Sequence, residues 1–127
     1  MKKITKEKTQ PSKEAKKEAK ALNVSLILRG LTENEAFYFS TSAGDYTSEC
    51  AISLGDFVRK IKEVDIRSIE FHLYRGDFEK WFTQTLEDKE LAQETKKLQK
   101  QNLVGESLRQ KLYSIVSIRH KQLERML

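Results

Sequence analysis

Apolar residues begin to recur regularly only after the first twenty of the 127 residues, and their spacing then changes from segment to segment. Residues 23–29 form a short apolar run, which is either a short strand or the entry to the fold, with the strand slightly favoured. Apolar and polar residues alternate in 36–41 and again in 48–52, on either side of a Gly44-Asp45 pair suited to a turn. This pattern predicts a β-hairpin.

Four later segments have apolar residues three and four positions apart, which is the spacing of an amphipathic helix. Ser53, three residues before an aspartate, predicts the start of a helix over 53–64. Asp77 and the Glu87-Asp88 pair predict the starts of two more. The last segment, 106–127, predicts an amphipathic helix of about six turns. Its stripe consists of Leu108, Leu112, Ile115, Val116, Arg119, Leu123 and Met126.

Residues 65–75 fit either a strand or a helix. Alternate residues from Ile69 onward are apolar, as in a strand, whereas Ser68 and His72 share one helical face. We favour the helix, because Ser68 can cap its N-terminus and Gly76 can adopt the left-handed conformation that ends a helix.

These elements predict an α+β fold, in which a short antiparallel β-hairpin packs on several helices, the last of them long. The first twenty residues lack apolar periodicity, so burial cannot offset the entropy of ordering them. We therefore expect a flexible basic arm over 1–20 and a single domain over 21–127.

The chain carries no signal for export or for a membrane. No apolar run approaches the roughly 20 residues that span a bilayer, so we expect no membrane partner. The N-terminal lysines are not followed by the apolar segment of a secretory signal. The single cysteine, Cys50, cannot form an internal disulfide and is interpreted as a small buried hydrophobic residue. These features indicate the cytoplasm.

All of the net charge of +5 lies in the arm, where eight lysines stand against three glutamates. The other 107 residues hold 16 basic and 16 acidic side chains and are neutral overall. Lysines near phosphates release condensed counterions whatever the base sequence, so this distribution is typical of a protein that binds a polyanion through its tail. The candidate nucleic-acid-binding residues are Lys2, Lys3, Lys6, Lys8, Lys13, Lys16, Lys17 and Lys20.

His72, Arg75 and Asp77 could form an acid–base group around an anion, since histidine titrates near neutrality and arginine grips phosphate. We favour a structural interpretation, in which Asp77 caps a helix, Arg75 pairs with an acid such as Glu79, and His72 hydrogen-bonds into the core. His72 and Arg75 are also possible nucleic-acid contacts of the body, by which we mean the domain over 21–127.

Other chemistry is not indicated. The two histidines and the cysteine lack metal-ligand spacing, and the glycines do not form a phosphate-binding loop, so we expect no metal, no cofactor and no enzyme. Phe37, Tyr38 and Phe39 could stack on bases, but alternation turns Tyr38 away from the other two, and core packing is favoured.

A family resemblance rests on Ala36-Phe37-Tyr38-Phe39, Ser68-Ile69-Glu70-Phe71-His72, Arg75-Gly76-Asp77-Phe78-Glu79-Lys80-Trp81 and Gly105-Glu106-Ser107-Leu108-Arg109. Through these motifs the chain from about residue 35 onward resembles an uncharacterised family of small domains found mainly in archaea. The resemblance implies a compact unit in a cytosolic archaeal setting and no known activity. At Glu87 the chain departs from the family pattern, which has a glycine there.

We therefore expect a non-catalytic protein that binds structured RNA, such as the ribosome, in preference to DNA. Lysine arms bind phosphate without reading bases, so the neutral body would supply specificity. The alternative is a protein–protein interaction module, such as a homodimer through the C-terminal helix, whose arm merely aids solubility.

Overall fold

The structure is a computed structural model that describes residues 13–127, and its first element is a helix. Helix α1 spans Lys13–Leu28, so the expected strand at 23–29 is wrong. Within that run, Val24 and Ile27 are buried and lie at helical spacing. The helix extends N-terminally into good helix formers of the predicted arm, whose residues 13–20 form its first two turns.

The predicted hairpin is confirmed. Strands β1 (Phe37–Ser42) and β2 (Asp45–Ala51) pair antiparallel around a two-residue turn, in which Gly44 has φ 84°. Phe37 and Phe39 point into the core, whereas Tyr38 points away and its hydroxyl donates to the Glu33 carbonyl at 2.7 Å. Cys50, expected to be buried, is half-buried.

Five helices follow the hairpin, and the predicted helical segments are confirmed. Each begins directly after a turn or a short loop. They are α2 (Leu54–Ile61), α3 (Ile66–Arg75), α4 (Asp77–Gln84), α5 (Lys89–Gln99) and α6 (Gly105–Arg125).

The helix caps agree with the sequence at two positions and differ at two. Ser53 caps α2 by accepting from the Asp56 N–H, and Asp88 caps α5 by accepting from the Leu91 N–H. The cap of α3 is Asp65 instead of Ser68, which is buried, and its Oγ has no hydrogen-bond partner within the described chain. Asp77 is the first residue of α4, and Gly76 before it is the N-cap.

Gly76 separates α3 from α4 without a loop. Its φ of 84° confirms the predicted left-handed stop, and its N–H donates to the Leu73 carbonyl at 3.1 Å. A residue without a side chain adopts this conformation at no steric cost. The sharp corner brings the start of α4 against the end of α3.

The core lies between the hairpin and the helices and is rich in aromatic rings. Phe57 of α2 packs edge-on against Phe78 of α4, with ring centroids 5.2 Å apart. Helix α6 closes the other side against α2, α3 and α5. Its residues Leu108, Leu112, Val116 and Leu123 are buried there. Among residues 13–127, no helix combines the length and apolar character needed to cross a membrane.

Candidate nucleic-acid interface

The described arm lysines lie along one face of α1. Lys13, Lys16 and Lys20 are exposed, and at 100° per residue they fall within about 60° of one another. Lys17 is also a residue of α1, although its side chain lies outside the described atoms. Lys2, Lys3, Lys6 and Lys8 lie outside the described residues. The structure therefore describes only the C-terminal half of the candidate lysine interface.

This lysine face is the same face that buries apolar residues further along α1. Val24 lies one turn after Lys20, and Ile27 lies on the same side one turn later. Val24 and Ile27 are buried against the body, whereas Lys20 and Lys16 are exposed. The first two turns of α1 therefore project beyond the rest of the described chain, and their lysines are open to a large ligand.

His72 occupies the centre of the hairpin–helix interface instead of the surface. Its side chain is almost fully buried, and its ring lies 4.8 Å from that of Phe37. The backbone N–H of Ser40 donates to His72 Nε2 at 2.8 Å, which fixes the ring proton on Nδ1. Nδ1 in turn donates to Asp77 Oδ2 at 2.7 Å. Both ring nitrogens are bonded within the fold, so the structure gives His72 a structural role, and its contact with nucleic acid stays a prediction.

The environment of His72 holds it neutral. Burial lowers its pKa from 6.5, and this effect outweighs the hydrogen bond and charge of Asp77, which raise the pKa. A neutral imidazole bonded on both sides must break one of these hydrogen bonds before it can exchange a proton with a substrate. The structural interpretation of this histidine is the one that the geometry supports.

Arg75 lies at the surface above this pair. Its guanidinium stacks on the Phe71 ring, with Cζ 4.3 Å from the centroid, and Nε donates to Asp77 Oδ2 at 2.9 Å. The expected partner Glu79 is therefore replaced by Asp77. The arginine is about half-exposed, so a phosphate could still reach it.

An ion pair that was not predicted from the sequence joins the α4–α5 loop to α6. Arg119 donates to both carboxylate oxygens of Asp88, from Nε at 2.9 Å and from Nη2 at 3.0 Å. The Asp88 side chain is buried and also caps α5. The sequence contained one signal for this ion pair. Arg119 lies within the apolar stripe of α6, and a buried charge needs a partner. Glu87, just before Asp88, has φ 59°.

Two adjoining grooves meet at this ion pair. One, of about 370 Å³, lies between α1 and the α4–α5 loop and is lined by Asn23, Leu26 and Glu87. The other, of about 280 Å³, lies between α5 and α6 and is lined by Ile115 and Ile118. Glu90 and Arg119 line both. No group of three or more histidine, cysteine or acidic side chains is placed to hold a metal ion in the described part of the chain.

No curated protein and no solved structure matches the chain. The family model that does match covers residues 20–117, from the middle of α1 to the second half of α6. It begins earlier than the resemblance seen in the sequence, and it leaves out every arm lysine before Lys20. The chain belongs to this family, DUF5752, a family of unknown function.

Proposed function

We propose that this protein is a non-catalytic, nucleic-acid-associated protein that binds structured RNA, such as ribosomal RNA, through its N-terminal lysines. The observation that carries the proposal is the projecting lysine face of α1. Lys13, Lys16 and Lys20 stand on a continuous helix beyond a body of balanced charge. Lysines in this position contact phosphates at a distance from the acidic side chains of the body.

The N-terminal lysines and the neutral body would have different roles in binding, because their chemistry differs. Lysine contacts position a protein on a phosphate backbone but carry no sequence information. Specificity would come from the shape of the body, with Arg75 as its exposed cation beside an aromatic ring. The resemblance to a mainly archaeal family makes an archaeal cytoplasm the proposed setting.

The test is fluorescence anisotropy with a structured RNA and a duplex DNA over a range of salt. Replacing Lys13, Lys16 and Lys20 by alanine should lower the steepness of log K against log salt by about 2 to 3, since each lost phosphate contact removes about 0.9. The matched control replaces Lys96, Lys97 and Lys100 by alanine, which removes the same charge. These lysines are exposed and lie on and just after α5. An equal loss in both triple variants contradicts the proposal, as does tighter binding to DNA than to RNA.

A protein–protein interaction module is the second candidate. The sequence placed its interface on α6, but most of that stripe is buried within the chain. The observation that favours this class lies on α1 instead, where Leu22 and Leu26 are exposed to solvent.

A further inference from the structure

Helix α1 carries an apolar stripe on the side opposite its buried face. Leu22 is 62% exposed and Leu26 is 44% exposed, and Ala19 is exposed beside them. Ala15 continues the same line, so that successive members are four, three and four residues apart. Val24 points away from this stripe into the core. The helix is therefore apolar on two sides, of which the body covers one.

This spacing is that of a coiled-coil seam. Apolar residues that alternate three and four apart keep one face of a helix against a second helix. In heptad terms Ala19 and Leu26 take position a, whereas Ala15 and Leu22 take position d. A helix is accordingly the partner that this face fits.

We propose that two copies of this chain dimerise by pairing their α1 helices antiparallel along Ala15, Ala19, Leu22 and Leu26. Antiparallel pairing sets position a of one helix against position d of the other. Ala19 then faces the partner's Leu22, and Ala15 faces the partner's Leu26. Each layer combines a small side chain with a large one. Parallel pairing would set alanine against alanine and leave gaps in those layers.

Charge also favours the antiparallel arrangement. Parallel pairing would bring two lysine-rich helix starts together, with a cost in like-charge repulsion. Antiparallel pairing places the lysine-bearing half of one helix beside the C-terminal half of the other. Lys16 and Asn23 lie on the same flank of the stripe, and matching flanks meet in an antiparallel pair. The partner's Lys16 therefore comes next to Asn23.

Asn23 lines the groove of about 370 Å³ that also contains Glu87 and Glu90. Both glutamates are exposed, but Glu90 already pairs with Arg119 at 3.4 Å and Lys89 also lines the groove, so Glu87 is the acidic side chain offered to the incoming lysine. Leu26 and Leu86 line the same groove. In the antiparallel dimer, this groove therefore lies beside the lysine-bearing half of the partner's α1. The dimer does not rest on the proposed RNA binding, although Lys16 takes part in both, and it is therefore tested at Leu22 and Leu26, which are not among the proposed phosphate contacts.

The first experiment is sedimentation velocity on the nuclease-treated full chain from about 1 to 100 µM, a range that covers weak to moderate dimers. We expect a dimer in the wild type and a monomer in the Leu22→Glu/Leu26→Glu variant, with dimerisation at least one hundredfold weaker. The matched control is Val104→Glu, equally exposed at 65% but located at the start of α6. It should dimerise like the wild type.

Trp81 fluorescence in urea shows whether the double variant is folded, because this tryptophan is buried in the aromatic cluster. A wild type that stays monomeric at 100 µM overturns the proposal, whether the stripe is then covered by residues 1–12 or by solvent. A dimer that survives in the folded double variant also overturns it.

The second experiment tests orientation in a Cys50→Ser background. Chains with Ala19→Cys are mixed with chains carrying Leu22→Cys and then oxidised. Antiparallel pairing predicts a disulfide-linked heterodimer between the two variants, because positions 19 and 22 share a layer. Crosslinking of the Leu22→Cys chain mainly with itself would show parallel pairing and contradict the proposed arrangement.

Discussion

Acid should weaken the folded state through His72. The folded chain holds this imidazole neutral, because burial lowers its pKa from 6.5. The unfolded chain has no such constraint and takes up a proton below about pH 6.5. The unfolded state therefore binds more protons as the pH falls, so that stability is complete above this value and declines below it.

The size of the effect follows from the same linkage. Each pH unit between the unfolded and folded pKa of one group changes stability by about 1.4 kcal/mol. From pH 7.5 to pH 5.5 the loss from His72 should therefore approach an upper limit of about 1.4 kcal/mol. Asp77 reduces it, because its carboxylate stabilises the imidazolium.

Urea unfolding at several pH values, followed by the fluorescence of the single tryptophan, measures this decline. His72→Phe keeps an aromatic ring in the cluster but leaves the buried Ser40 N–H without its acceptor, a loss of about 1–3 kcal/mol at pH 7.5. Its stability should then be flat between pH 7.5 and 5.5. His120→Gln is the matched control and should keep the wild-type decline. Equal wild-type stability at pH 7.5 and 5.5, or the same decline in His72→Phe, would refute the reasoning.

Three further substitutions test single contacts by urea unfolding. Glu87→Gly should stabilise by about 0.5–1 kcal/mol, because glycine relieves the strain of φ 59° but makes the unfolded chain freer; a loss of stability would contradict this. Gly76→Val should destabilise by at least about 1 kcal/mol, since a β-branched residue is strained at φ 84°; an unchanged midpoint would count against it. Arg109→Ala should cost about 2 kcal/mol, because Nη1 donates to the Ile61 and Val64 carbonyls at the end of α2, and Arg109→Lys should restore part of this.

Local signals were sufficient where a residue acts within its own segment. The Ser53 cap and the Gly76 stop could be predicted because both depend on a few neighbouring backbone groups. The hairpin followed from alternation together with its turn residues, and α6 followed from helical periodicity. Glu87, where the resemblance implies a glycine, has a φ of 59°, a conformation that glycine adopts without strain.

Two helix caps, predicted at Ser68 and Asp77, were wrong within their own segments, but the larger errors arose where the outcome depends on distant parts of the chain. Residues 23–29 have strong strand formers, but the body offers a groove to a helix, and Val24 and Ile27 fill it. The Ser40 partner of His72 and the Asp88 partner of Arg119 could not be identified, because each is about thirty residues away in sequence. The number of arm lysines could be read from the sequence. The side of α1 on which they project could not be predicted, because it depends on how Val24 packs.

Because Lys20 lies one turn before Val24 on the same side of α1, the helix has a fixed depth of insertion. Sliding it one turn inward would bury an ammonium group without a partner, which is strongly unfavourable. The overhang from Lys13 to Lys20 is then about 10 Å long at 1.5 Å per residue, which exceeds the Debye length of about 8 Å in physiological salt. Lys13 at the tip is thus screened from the acidic side chains of the body, and its attraction to a polyanion should be almost unaffected by charge changes elsewhere in the domain.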